Sequence, residues 1–166
     1  MNKLLCYSCD MFEKVMFSLG YFSNENIPDN ISIISIGNTY KPYHIFKPSS
    51  NVLNLDFDDI DPRDWNDKFD IENATYEDFI YKNKSIAFTQ DLAEKSVKFI
   101  EDNIKSDFYI HCSAGVSRSQ AFVRYIQDIY QKNQWIINEN NPPVMPSYHV
   151  LCMLKREYLR SNSNCN

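Results

Sequence analysis

The stretch FYIHCSAGVSRSQAFVRYI, residues 108–126, contains the features that decide the fold. It opens with an apolar strand pattern and closes with a helix pattern, in which apolar residues recur at three- and four-residue steps. Between the two lie small residues, with Cys112 at one end, Arg118 at the other and Gly115 in the middle. A strand, a tight turn and a helix in this order are typical of α/β proteins, which bind ligands at the carboxyl ends of their strands.

The rest of the chain alternates strand and helix patterns in the same way. Short β-branched and apolar runs predict strands over 3–8, 31–38, 52–57 and 108–111. Helical spacing predicts helices over 9–20 and 90–104, from Arg118 or Ser119 onward, and after a cap at Ser147. The acidic segment 59–79 predicts a loop with a short helix. This alternation favours one α/β domain over residues 1–166, with a central, mostly parallel sheet flanked by helices.

The composition narrows the possible classes of function. The 166 residues are 43% hydrophobic, which fits one globular domain. The formal net charge of −5, without a cluster of lysine and arginine, argues against nucleic acid and anionic membranes as partners. No apolar run reaches the roughly 18 residues that a membrane span needs.

The cysteines favour a reducing compartment. Five occur, an odd number, and the N-terminus looks like the start of the fold rather than an export signal. We therefore expect a cytoplasmic protein, in the host cytoplasm if the source is a virus. Cys6 and Cys9 form a C-x-x-C pair, but the histidines are scattered and no second cysteine pair exists. Buried thiols are the expected state of this pair, rather than a metal site.

The turn after the strand has the composition of an anion-binding loop. Small side chains let consecutive backbone amides converge on one point, and Gly115 relaxes the backbone limits there. Such a nest at a helix N-terminus favours a tetrahedral oxyanion such as phosphate. The guanidinium of Arg118 adds a planar fork that grips two phosphate oxygens.

The same electrostatic field favours the thiolate form of Cys112, because cysteines beside helix N-termini and guanidinium groups lose their protons readily. A thiolate held below a bound phosphoryl group is a nucleophile directed at phosphorus. The spacing of Cys112 and Arg118 therefore has a chemical reason: the cysteine attacks and the arginine stabilises the charge of the transferring group.

The segment His111–Ser119, HCSAGVSRS, resembles the signature loop of the cysteine-dependent protein tyrosine phosphatases. Its AGVSRS part is most similar to the dual-specificity branch, and the resemblance extends over residues 31–158. It implies a two-step hydrolysis through a phosphocysteine, without cofactor or metal, on a phosphorylated protein substrate.

The resemblance also implies a role for each loop residue. Cys112 would be the nucleophile, His111 would tune it from behind, and Ser119 would help the thiolate leave in the second step. The phosphate would be bound by the loop amides and the arginine, that is by Ser113, Ala114, Gly115, Val116, Ser117 and Arg118.

The family further requires a general acid on a separate loop after a strand. The run VLNLDFDDID, residues 52–61, offers several aspartates. Asp59 is the first choice because it lies just past the predicted end of the strand, with Asp58 second and Asp61 third. A solvated acidic loop is the alternative interpretation of this run.

Three other functions remain open from the sequence. Relatives in the superfamily include RNA 5′-phosphatases and non-catalytic modules that bind phosphoproteins. VLNLDFDD also resembles the motif of magnesium-dependent phosphatases, in which Asp56 would attack and Asp58 would be the acid. The short chain leaves little length for pocket walls, so we expect a shallow pocket that accepts both phosphotyrosine and phosphoserine or phosphothreonine. Tyr43, His44, Trp65 and Pro146 are candidates for its rim.

Overall fold

The structure is a computed structural model that describes residues 3–40, 42–61, 85–130, 136–137 and 145–163. The strands are β1 (Lys3–Ser8), β2 (Ile31–Gly37), β3 (Val52–Asp56), β4 (Asp107–Cys112) and β5 (Ile136–Ile137). The helices are α1 (Cys9–Ser18), α2 (Gln90–Asp102), α3 (Arg118–Tyr130) and α4 (Tyr148–Ser163), with a short 3₁₀ turn at Asn24–Asn26. The short helix expected within 59–79 falls largely outside the described residues.

These strands form one sheet in the order β3-β2-β4-β1-β5, and every neighbouring pair is parallel. The predicted α/β fold with a mostly parallel sheet is therefore confirmed. Parallel sheets need crossover helices that cover both faces, which explains the strongly apolar strands. β2 illustrates this, because all of its residues are buried.

Helices cover the two faces of the sheet unequally. Buried residues of α2, α3 and α4 pack on one face, in a core that includes Phe88, Phe122 and Tyr125. α1 packs on the other face through Phe12 and Met16. No helix among the described residues is long and apolar enough to cross a membrane.

The first helix shows how local sequence sets the boundaries. Ser8 caps its N-terminus, since the Ser8 hydroxyl accepts a hydrogen bond from the Met11 amide. At the other end Gly20 has φ +79°, and the amides of Gly20 and Tyr21 bond back to Phe17 and Met16. That pattern is a Schellman cap, and it confirms the helix end that the sequence predicts at Gly20.

The N-terminal strand contributes more to the site than the resemblance suggests. β1 lies inside the sheet between β4 and β5, although the family likeness begins only at residue 31. Its last residue, Ser8, is paired in register with Cys112 at the end of β4. The carboxyl ends of β1, β2, β3 and β4 therefore meet at one edge, where the loop between β4 and α3 begins.

Candidate active site

The loop of residues 112–118 connects β4 to α3 at the carboxyl edge of the sheet. β4 lies between β2 and β1, so both neighbouring strands end beside this loop. α3 begins at Arg118, as the sequence predicts. Its positive N-terminal end faces the same edge, which is the position where α/β proteins bind anions.

Gly115 allows the loop to press against the end of β1. It has φ +74°, and an added Cβ would lie 2.7 Å from the Ser8 nitrogen and from the Tyr7 carbonyl carbon. The Gly115 carbonyl accepts hydrogen bonds from Gln120 Nε2 at 3.0 Å and from Cys6 Sγ at 3.7 Å. A side chain at this position would force the loop away from the strand.

Cys112 lies at the base of the loop and is 2% exposed. Its sulfur is 3.1 Å from the hydroxyl of Ser119, the residue that the resemblance assigns to thiolate departure. Cys6 is a second thiol close to the loop, and burial raises its pKa to about 12. Cys6 therefore stays protonated at neutral pH and serves as a donor to the loop.

The guanidinium of Arg118 is buried and held from three sides. Its Nη1 donates to the carbonyls of Gly37 at 3.0 Å and Phe57 at 2.6 Å. Its Nη2 donates to Ser113 Oγ at 3.0 Å, on the opposite limb of the loop. The ends of β2 and β3 therefore fix the orientation of the arginine relative to Cys112.

The structure brings Asp59, rather than Asp58, to the loop. Asp59 Oδ1 accepts a hydrogen bond from Ser117 Oγ at 3.0 Å. The carboxylate of Asp58 accepts hydrogen bonds from the Thr39 hydroxyl and amide and, at 2.9 Å, from the Ile86 amide. Asp58 thus joins two loops, while Asp59 is exposed beside Ser117 of the loop.

Asp61, the third candidate for the acid, is half-buried two positions beyond Asp59. Residues 62–84 lie outside the described residues, and they include Trp65, one of the candidates for the rim.

His111 lies beneath the loop on the α1 face and is 1% exposed. Its ring stacks on Phe12 with 4.1 Å between ring centroids. Burial lowers the pKa of His111 from 6.5 to about 3, with smaller contributions from the nearby His44 and Arg118. Neither ring nitrogen has a hydrogen-bond partner among the described residues. The ring of His111 is therefore neutral at neutral pH.

The other candidates for the rim differ in their surroundings. Tyr43 is 40% exposed and available at the surface. His44 is half-buried, with its ring nitrogens 2.7 Å from Ser35 Oγ and 2.9 Å from Asp56 Oδ1. Pro146 lines a cavity of about 420 Å³ between α3 and α4.

Several supporting residues carry no signal in the sequence. The carbonyls of Gly37 and Phe57 hold the arginine, and Asn38 Oδ1 accepts from Ser113 Oγ at 3.3 Å. Gln120 holds the glycine of the loop. Backbone carbonyls and single amides act here because separate strands end together, which a linear sequence does not reveal.

No protein-family model, curated protein or solved structure matches this chain. The fold and the geometry of the loop therefore carry the functional argument.

Proposed function

We propose that the protein is a cysteine-dependent phosphomonoester hydrolase that dephosphorylates proteins, acting on phosphotyrosine and on phosphoserine or phosphothreonine. One observation carries the proposal. A buried cysteine, a buried arginine and an exposed aspartate, Cys112, Arg118 and Asp59, meet at one loop at the N-terminus of a helix. These are the nucleophile, the anion-binding group and the proton donor that phosphoryl transfer to a thiolate needs.

Binding would begin with the phosphate. The backbone amides from Ser113 to Arg118 belong to the loop that leads into α3, and they would donate to the three non-bridging oxygens. Arg118 would donate to two of these oxygens with its fork. Because carbonyl groups already hold the guanidinium, little rotamer freedom remains to be lost when the substrate binds.

In the first step the Cys112 thiolate attacks phosphorus. The sulfur–phosphorus bond forms as the bond from phosphorus to the leaving oxygen breaks. Asp59 gives its proton to that oxygen, so the product leaves as a neutral alcohol or phenol. Arg118 and the amides stabilise the charge on the transferring group.

In the second step water attacks the phosphocysteine. Asp59, now a carboxylate, takes the proton of the water as the sulfur–phosphorus bond breaks and inorganic phosphate is released. The departing thiolate receives a hydrogen bond from Ser119, whose hydroxyl lies 3.1 Å from the sulfur.

The exposure of the loop supports a shallow pocket. Ser113 and Ala114 are both exposed, so the loop is open to solvent on the side away from α3. A phosphorylated serine or threonine reaches less far than a phosphotyrosine, and a shallow pocket admits both. The acidic net charge argues against RNA as the substrate.

The alternative with an aspartate nucleophile has less support. Asp56, the nucleophile in that reading, accepts from His44 at 2.9 Å. Asp58, the acid in that reading, is engaged by Thr39 and Ile86. Both carboxylates are therefore occupied by groups of this chain, whereas Asp59 faces the loop.

The proposal is tested by hydrolysis of two aryl phosphates in the presence of EDTA, with wild type, Cys112→Ser and Asp59→Asn. We expect wild-type turnover that Cys112→Ser abolishes. Asp59→Asn should lose about 10²- to 10⁴-fold in kcat/KM on phenyl phosphate, whose leaving group resembles tyrosine, and far less in kcat/KM on p-nitrophenyl phosphate, because only the first step depends on the leaving group. Asp58→Asn is the matched control, since it changes the neighbouring carboxylate.

Each contrary outcome points to a particular alternative. Turnover that survives Cys112→Ser but stops with EDTA would support the metal-dependent aspartate mechanism. A folded wild type that binds a phosphopeptide without hydrolysing it would be a binding module. A larger loss of phenyl phosphate hydrolysis in Asp58→Asn than in Asp59→Asn would assign the general acid to Asp58.

A further inference from the structure

The hydroxyl of Ser117 makes a hydrogen bond that is not needed to build the loop. Its backbone is fixed on both sides, because its carbonyl accepts from the amides of Ala121 at 3.0 Å and Ser147 at 3.3 Å. The side chain of a serine before a helix commonly caps the free amides of the first turn. Here its hydroxyl instead donates to Asp59 Oδ1 at 3.0 Å, and no other partner of this hydroxyl occurs among the described residues.

The main chain on the other side of this contact is equally well fixed. The Phe57 amide bonds to the Gly37 carbonyl at 3.3 Å, and the Asp58 amide bonds to the Ile86 carbonyl at 2.6 Å. The Asp58 side chain adds its bonds to Thr39 and Ile86. Asp59 follows this anchored stretch directly, so its main chain starts from a defined position.

The side chain of Asp59, by contrast, is exposed and has one tether. Ser117 Oγ is the only hydrogen-bond partner of its carboxylate among the described residues, and it binds Oδ1. An exposed carboxylate without a tether samples several rotamers, most of which point its oxygens away from the loop. A hydrogen bond from Ser117 selects the rotamer that keeps the carboxylate against the loop.

We infer that Ser117 is a positioning residue for the general acid: it holds Oδ1 of Asp59 and leaves Oδ2 to carry the proton to the leaving group. The inference rests on the proposed function and adds a role for Ser117 in it. In the first step the proton moves from Oδ2 to the leaving oxygen, and in the second it returns to Oδ2 from water. Ser117 keeps its own proton throughout.

A positioning role predicts different kinetic results from two simpler roles of Ser117. A serine that only built the phosphate loop would affect all substrates equally, since every substrate presents the same phosphate. A serine that only capped α3 would change stability without changing the relative rates on two substrates. A positioning residue for the acid changes the dependence on the leaving group, because only a poor leaving group needs the proton.

The experiment compares Ser117→Ala and Ser117→Thr with wild type on p-nitrophenyl phosphate and phenyl phosphate. Ser117→Ala should lower kcat/KM on phenyl phosphate about fivefold to tenfold, the size expected for one lost hydrogen bond. Its kcat/KM on p-nitrophenyl phosphate should fall much less, because that leaving group departs without a proton and the alanine keeps the backbone amide of residue 117. Ser117→Thr, which keeps the hydroxyl, should restore the rate on phenyl phosphate. Ser18→Ala, at the far end of α1, controls for loss of a serine.

The double variant Ser117→Ala/Asp59→Asn tests whether Ser117 acts through Asp59. If Ser117 acts through Asp59, it should be no slower on phenyl phosphate than Asp59→Asn alone. Losses that multiply in the double variant, an equal loss on the two substrates, or no loss at all in Ser117→Ala would each overturn the inference. Wild type that hydrolyses neither substrate would overturn the proposed function itself, and this outcome is visible before any variant is compared.

Discussion

Acidification is expected to destabilise the protein through His111, the buried residue immediately before the candidate nucleophile. Its pKa is lowered from the ordinary 6.5 to about 3, mainly by burial and to a smaller extent by the nearby His44 and Arg118. Between these two values the unfolded chain binds a proton on this ring and the folded protein does not. Protons therefore favour unfolding in this window, and the stabilising effect of the neutral ring is lost as the pH falls below 6.5.

The size of the effect follows from this proton linkage. Lowering the pH from about 7.5 to about 5 should reduce the free energy of unfolding by about 2 kcal/mol through His111 alone. Because the lower pH still exceeds the folded-state pKa, this figure depends almost entirely on the unfolded-state value. His111 is 1% exposed, so solvent does not screen the cost of charging it.

The assay is urea denaturation at a series of pH values for wild type, His111→Phe and His111→Gln. Neither variant titrates at this position, and the phenylalanine keeps an aromatic ring against Phe12. Carboxylates titrate at lower pH in all three proteins, so the difference between wild type and variant isolates the histidine. Equal pH dependence in wild type and both variants would refute the reasoning, since it would show that His111 charges without cost.

Three substitutions test other contacts of the site. Gly115→Ala should lower the free energy of unfolding by about 2–4 kcal/mol and weaken inorganic phosphate binding, because φ is +74° and the Cβ would meet Tyr7; unchanged calorimetric binding of phosphate would contradict this. Arg118→Lys should reduce kcat/KM on aryl phosphates on the order of 100-fold, since an ammonium lacks the fork; near wild-type kinetics would be the contrary result. Gly37→Ala should cost about 1 kcal/mol in thermal or urea unfolding, because its Cβ would push the Asp56 carboxylate away from His44 and would lie 3.2 Å from the backbone of Pro42 and Tyr43; an unchanged midpoint would exclude the clash.

The fold could be predicted because its signals are local. Apolar periodicity located β1 to β4 and the four helices, and turn chemistry located helix ends at Gly20 and Ser147. The order of the strands could not be read in the same way. β1 pairs with β4 across about a hundred residues, and no local pattern in 3–8 specifies that partner.

The loop itself was equally visible in the sequence, because Cys112, Gly115 and Arg118 are close along the chain and each residue type has a specific chemical use. The groups that orient Arg118 were not visible. They are carbonyls of Gly37 and Phe57, and any residue has a carbonyl. Only the joint ending of parallel strands at one edge gives these two carbonyls a function.

The choice among the three aspartates shows where the sequence stops being informative. Asp58, Asp59 and Asp61 carry the same side chain on the same short loop, so position after the strand was the only criterion available. In the structure, Asp58 and Asp59 differ in the hydrogen bonds that their carboxylates accept from other parts of the chain. Asp58 accepts from Thr39 and Ile86, which lie far apart in the chain, whereas Asp59 contacts only the loop serine among the described residues.

A carboxylate whose two oxygens both accept hydrogen bonds from its own chain has no oxygen left for a substrate. Asp58 meets that description and Asp59 does not, so proton transfer is expected from Asp59. The same reasoning gives Asp58 a second consequence. Asp58→Asn should disturb the anchored stretch before Asp59 and lower kcat/KM modestly, more on phenyl phosphate than on p-nitrophenyl phosphate, because it misplaces the acid. A loss on phenyl phosphate as large as that of Asp59→Asn would instead assign Asp58 to the acid itself.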